Sequence, residues 1–286
     1  MPHPQCGHLR YKNLRQAITL TLVFYPYLCN TKQQEKHKMG LFDFLHKKQP
    51  TEKKLFYNTE VHCHILPGVD DGARDVETSV ALVKEMQKMG IERIITTSHV
   101  TESTFENTPE TIKSAYDELN NALVAEGVDV KIHYSAEYRM DEYFLKQFDD
   151  KKLLPFPEDY ILIENSFFQP FWEIKELIFD LQLKGYTPIL AHPERYMYYH
   201  KTPQIYKELH ETGCLFQVNL LSLSGYYYPQ VKEMAWKLLD QGYVDLIGSD
   251  MHHIKHAQHI YEYIGTKEYR KLEQKAQAII NNKILF

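Results

Sequence analysis

From residue 55 onward, short runs of β-branched and aliphatic residues alternate with longer stretches whose apolar positions recur every three or four residues. The short runs predict strands at Thr59–His64, Arg93–Ser98, Val130–Ala136, Tyr160–Glu164, Pro188–Ala191, Leu215–Asn219 and Val244–Gly248. The longer stretches predict helices over Val76–Met89, Pro109–Glu126, Trp172–Lys184, Pro203–Thr212 and Pro229–Gln241. Pro109, Pro203 and Pro229 stand where helices begin, and Gly90, Gly127, Gly185, Gly213 and Gly242 where they end. Strands alternating with helices imply parallel pairing through right-handed crossovers. Seven such units predict an α/β fold, a distorted (β/α)7 TIM-like barrel; an open doubly wound sheet is the alternative.

The chain has 286 residues, enough for one large α/β domain and an extension. Residues 1–54 read as an N-terminal extension and linker, and 55–286 as the domain. Within the extension, Ala17–Cys29 is an apolar run too short to span a bilayer comfortably, and no small-x-small cleavage site follows it. It is read either as a signal or anchor, or as lying upstream of a start at Met39. In the latter case Met39–Leu45 opens a short amphipathic helix, and 47–54 is a charged linker. The formal net charge of -5 argues against nucleic acid as the main partner. The four cysteines, Cys6, Cys29, Cys63 and Cys214, form no CxxC pair, which suits a reducing, cytoplasmic compartment. None is followed by an arginine six positions later, so a cysteine-nucleophile phosphatase is disfavoured.

Histidine is over-represented, at 15 residues, and many of these lie beside carboxylates at the predicted strand ends. His62 and His64 are two apart on a strand, so both imidazoles share a face while Cys63 points away. Asp70 and Asp71 follow in a turn. Later strands end in His99, in Glu137 with Arg139, in Glu164, in His192 with Arg195, and in Asp250 with His252. A parallel barrel opens all these ends on one face, where active sites gather. Five histidines (His62, His64, His99, His192, His252) and four carboxylates (Asp71, Glu137, Glu164, Asp250) exceed what one ion needs. They point to two or three divalent ions, with Mn²⁺, Fe²⁺ or Zn²⁺ suited to mixed nitrogen and oxygen ligands. Three such ions against four carboxylates leave roughly +2, which attracts a phosphate dianion.

In this order, HxH, DDGA, TSH, AE-x-R, LIE, AHPER and SDxH resemble the PHP (polymerase and histidinol phosphatase) superfamily. Three segments, His62 to Ala73, Asp180 to Tyr186 and Ala191 to Arg195, resemble the tyrosine-protein phosphatases of bacterial capsule and exopolysaccharide operons. The resemblance covers about residues 57–265. It implies a distorted barrel with three divalent ions, most often Mn²⁺, and hydrolysis of phosphotyrosine by metal-activated hydroxide. The partner it implies is a bacterial tyrosine kinase that controls polysaccharide export. Carried over, His62, His64, Glu137 and Asp250 hold one ion; His99, Glu164 and His192 serve a second; Asp71 and His252 complete the third. Arg195 is expected to contact the phosphoryl group, with Arg139 and Lys255 as further substrate contacts. His253 and His256 are candidates for the acid at the leaving oxygen, although phenolate, with a pKa of about 10, needs little help.

The chain departs from the family in having Glu60 in place of an aspartate, expected to lie behind the ligands. It also has no second arginine in His252–Ala257. Aromatics at Tyr196–Tyr199, at Tyr226–Tyr228 and at Phe167, Phe168 and Trp172 are read either as stacking surfaces for a substrate ring or as ordinary packing. Other readings are a histidinol phosphatase or another small-phosphoester hydrolase of the same fold, and a catalytically weak kinase-binding module. The oligomeric state is left open, a homo-oligomer included.

Overall fold

The first strand pairs with the second, the second with the third, and so on to the seventh, every neighbour parallel. The computed structural model describes residues 53–284 and 286. The Ala17–Cys29 run, the Met39 start and most of the linker lie outside the described residues. The strands are β1 (Thr59–Glu60), β2 (Arg93–Val100), β3 (Lys131–Arg139), β4 (Tyr160–Glu164), β5 (Thr187–Ala191), β6 (Leu215–Asn219) and β7 (Leu246–Gly248). The helices are α1 (Val76–Lys88), α2 (Pro109–Ala125), α3 (Glu142–Asp149), α4 (Ile174–Leu183), α5 (Gln204–Glu211), α6 (Leu220–Ser224), α7 (Pro229–Asp240), α8 (Ile254–Tyr263) and α9 (Lys267–Lys275). Their starts are set by local chemistry. Asp75, Thr108, Asp141 and Thr266 each accept a backbone N–H of the first turn of α1, α2, α3 and α9.

Sequential order and uniform direction bend the sheet into a nearly closed barrel, as predicted. The seam between β1 and β7 is not a regular ladder. It is closed by one parallel bridge, Cys63 to Met251, with His64 N–H donating to Met251 O at 2.9 Å and Asp250 N–H to His62 O at 2.8 Å. Two buried polar side chains reinforce it. One Glu60 carboxylate oxygen accepts from the amides of Val61, His62 and Ser249, each at 2.9 Å. Asn281 accepts from Ile247 N–H and donates to Thr59 O and Ile247 O. The Glu60 bonds also explain why β1 is shorter than the predicted Thr59–His64: the next amides turn inward to a carboxylate instead of outward to a neighbouring strand.

Alternation along each strand separates two apolar regions. Ile161, Ile163, Leu190, Phe216 and Val218 face outward and join the helices in the larger core. Val61, Ile95, Leu162, Ile189 and Leu246 face inward and fill the lower barrel, with Phe156 and Ile284 buried among them and Ile280 and Phe286 packed against them. Cys63 and Cys214 are buried free thiols in the larger core, which burial pushes up in pKa, Cys214 to about 12. Among the described residues no helix is long and apolar enough to cross a membrane.

Candidate metal centre

Two to four residues further along the strands, the barrel lining changes from apolar to charged. The Nε2 atoms of His62 and His64 lie 3.3 Å apart. Glu137 Oε2 stands 3.4 and 3.5 Å from them, and Asp250 Oδ1 3.6 and 3.5 Å. Glu137 Oε2 is also 3.0 Å from His99 Nδ1, and the same nitrogen lies 3.7 Å from Glu164 Oε1. His192 Nε2 approaches Glu137 Oε1 at 2.9 Å and Glu164 Oε2 at 3.9 Å. Asp71 Oδ1 lies 3.5 Å from His99 Nε2 and 3.4 Å from His252 Nε2. All nine predicted ligands therefore fall in one network. Three overlapping groups have the spacing to hold a metal: His62, His64 and Glu137; His99, Glu137 and Glu164; and His64, Asp71, His99 and His252. The sequence allotted His99 to the group of Glu164 and His192. The fold keeps its Nδ1 beside Glu137 and Glu164 and turns its Nε2 toward Asp71, so the ring stands between two groups.

The side chains present suit divalent ions. Glu137 Oε2, Glu164 Oε2 and His99 Nδ1 are buried and make no hydrogen bond, an expensive condition unless another partner is bound. Burial disfavours charge on His62 and His99, yet the carboxylates around them, Glu137 foremost, raise them to about 9 and about 10. His64 goes the other way, to about 4, through burial and the positive potential of His252 and His99. Burial also opposes charge on Asp250, but His62, His252 and Arg195 hold it well below the usual carboxylate range. Glu164 is raised by burial and by facing Glu137. Without metal, then, the cluster binds protons where cations belong, and the two compete.

Two left-handed residues aim the ligands. His192 has φ 32° and Asp250 φ 52°, conformations side-chain-bearing residues rarely adopt, and both follow the last residue of a strand or nearly so. Gly248 makes room for His62, because a Cβ there would stand 2.5 Å from the His62 Cβ.

Sequence reasoning missed the layer behind the ligands. Asp70 accepts from His64 Nδ1 at 2.9 Å and from the backbone N–H groups of Gly72 and His99, and so orients the His64 imidazole and fixes the backbone that carries His99. Gln217 Oε1 meets His62 Nδ1 at 2.6 Å, and its amide nitrogen donates to Asn219, which in turn donates to Asp250 Oδ2 at 2.7 Å. Both come from β6, the strand whose end had supplied no candidate. The available signal was two amides spaced i, i+2 on an otherwise apolar strand. Glu60 does lie behind the ligands, as expected.

At the rim, Arg195 donates to Asp250 Oδ2 at 2.7 Å and is 22 % exposed. Arg139 donates to Glu164 Oε1 at 2.9 Å. Lys255 and His253 are exposed on and just before α8. His256 is buried; its Nδ1 accepts from the His252 N–H, and burial with neighbouring His253 lowers it to about 3. Such an imidazole orients the His252 backbone and is a poor proton source near neutral pH. Tyr196 and Tyr199 are packing residues: both are buried and bond Asn165, Tyr196 also Ala191 O. Phe168 and Trp172, in contrast, are exposed.

The family model described as capsular polysaccharide synthesis, CpsB/CapC, matches residues 58–283. The chain is 31% identical over 237 residues to the tyrosine-protein phosphatase YwqE of Bacillus subtilis (strain 168), covering 79% of this chain and 93% of that protein. It is 31% identical over 221 residues to the tyrosine-protein phosphatase CpsB of Streptococcus pneumoniae, covering 73% and 90%. A crystal structure from the pair YwqE of Bacillus subtilis and CpsB of Streptococcus pneumoniae, described as metal-dependent tyrosine phosphatases, superposes with a TM-score of 0.67. It shares 30% identity and covers 80% of this chain and 96% of that one.

Proposed function

Because the chain belongs to the CpsB/CapC capsular polysaccharide synthesis family, we propose that it is a metal-dependent protein-tyrosine phosphatase, a phosphoric monoester hydrolase acting in the cytoplasm. The observation that carries this reading is the environment of Glu137 Oε2. It is buried, makes no hydrogen bond and faces three imidazole nitrogens within 3.5 Å, with Arg195 tied to the same cluster through Asp250. His62, His64, Glu137 and Asp250 would hold one ion, and Glu137, Glu164 and His192 a second. Asp71 and His252 would hold a third, with His99 between the last two; Mn²⁺ is the ion favoured. Bound there, divalent ions supply a water of lowered pKa and offset the charge of the phosphoryl oxygens.

The chain's own groups do the rest. Arg195 offers its remaining N–H donors to the phosphoryl oxygens, and Arg139 stands on the Glu164 side of the same mouth. Asp70, Gln217 and Asn219 keep the imidazoles and Asp250 in one orientation, so little reorganisation accompanies binding. Lys255 is exposed at the rim, near enough in sequence to His252 to meet a peptide substrate. The physiological partner we propose is a tyrosine-phosphorylated kinase governing polysaccharide export.

The test is to purify the protein without chelator, measure its metal content, and assay a phosphotyrosine peptide beside histidinol phosphate, with His192→Ala as control. Two to three ions per chain and peptide turnover abolished in the variant is the expected result. Turnover of histidinol phosphate alone would keep the chemistry and replace the substrate. An inactive protein after Mn²⁺ reconstitution would overturn the reading.

A further inference from the structure

The guanidinium of Arg195 lies over two aromatic rings. Its central carbon lies 4.6 Å from the centroid of the Phe167 ring and 4.5 Å from that of Tyr227, while Nη1 donates to Asp250 Oδ2 at 2.7 Å. The three partners come from separate barrel connections. Phe167 follows β4, Asp250 follows β7, and Tyr227 lies between α6 and α7; Arg195 itself ends the turn after β5. Phe167 also stacks over His192, with centroids 5.6 Å apart and planes 21° from parallel, so it bridges the arginine and the cluster. Packing alone is a weak account of that ring, since Phe167 remains 42% exposed. A planar, weakly hydrated guanidinium is the cation that stacks this way, and a lysine ammonium would lose both the fork and much of the stacking.

We propose that Phe167 and Tyr227 are positioning residues that clamp Arg195, so that the guanidinium edge not bonded to Asp250 is already ordered when an oxyanion arrives at the cluster. A free arginine side chain must surrender its rotamers on binding; a clamped one has done so beforehand, and the anion is bound more tightly by that difference. The substrate's identity rests on the phosphatase reading, but the anion-ordering role does not.

The test uses the metal-loaded full chain, with inorganic phosphate titrated calorimetrically and KM and kcat measured on a phosphotyrosine peptide. Phe167→Leu and Tyr227→Leu are each expected to weaken phosphate binding and raise KM about 3- to 10-fold, with metal content unchanged. Tyr227→Phe, which retains the ring, restores affinity to within about two-fold of the wild type. In an Arg195→Ala background the two leucine substitutions cause no further loss, because their effect passes through the arginine. Unaltered phosphate affinity in both leucine variants, or an equal further loss in the Arg195→Ala background, overturns the clamp. So does a wild-type protein that binds no phosphate. Phosphate binding that follows the expected pattern without peptide turnover keeps the clamp and removes the phosphatase reading.

Discussion

The two ends of the barrel are built from the same strands and obey opposite rules. At the lower end Ile95, Leu162 and Ile189 point inward into a dry layer closed by Phe156 and Ile284. At the upper end the same faces of β2 and β4 present His99 and Glu164, and β5 runs into His192. A step of two to four residues, about 7 to 13 Å, separates a layer that stabilises the fold from one that costs stability without a ligand. The lower layer gains from burial of apolar surface, at about 25 cal/mol per Å². The upper layer buries Glu137 and Glu164 facing one another and leaves an oxygen of each without a hydrogen bond. A single continuous strand can thus fund a strained site at one end with packing at the other.

The sharpest way to break the comparison is Glu137→Gln. Removing the carboxylate shared by two groups should lower kcat by about 10³-fold or more, the several kcal/mol a metal centre supplies. The melting temperature in chelator should fall, because the buried imidazoles of His62 and His99 lose the carboxylate that holds their charge. A kcat within ten-fold of wild type would show that Glu137 is not central. Leu162→Ala, one step down the same side of the barrel, should act on stability alone. It should destabilise the protein by about 3 kcal/mol in denaturant titration. Its kcat per folded molecule should stay near the wild-type value, and a kcat loss larger than its stability loss would mean that the two layers are not separable. Gln217→Ala probes the boundary between them. It should weaken metal affinity about 10- to 100-fold by freeing the His62 ring, and lower the stability of the metal-free protein by about 1 to 3 kcal/mol, because buried Asn219 Oδ1 loses its donor. The smallest effect is expected at Thr266→Ala, which deletes the α9 cap far from the mouth. A loss of about 1 kcal/mol in stability with unchanged kcat would show that ordinary helix chemistry on the outer shell is uncoupled from the centre.

Much of the frame was legible because it rests on local periodicities. The limits of β4 and β6 were read without error at both ends, since β4 stands between Asp159 and Asn165 and β6 begins just after Gly213 and ends on Asn219. The end of β1 was not, because its amides bond the Glu60 carboxylate, a preference no residue pattern announces. The helices α8 and α9, beyond β7, went unread, their apolar faces being interrupted by histidine, lysine and glutamate. The identity of the clustered histidines and carboxylates could be listed from strand ends, whereas Asp70 was passed over beside the more exposed Asp71. Two adjacent aspartates look equivalent in sequence; only the fold turns one into the dry interior against His64 and leaves the other at the mouth.

What the sequence determined by itself was the alternation of strands and helices, the inward period of two, and the residue types at the carboxyl ends of the strands. These depend on neighbours along the chain, and the physics that selects them is local. What only the tertiary structure decided was how those ends share their partners: His99 between two groups, Glu137 in both, and Arg195 held between Phe167 and Tyr227. That sharing depends on the stagger of seven strands and on the closure of the β1–β7 seam, where Asn281 bonds Thr59 across 222 positions and Ser249 bonds Glu60 across 189. No short-range pattern encodes such distances, because they are fixed by packing the whole barrel at once.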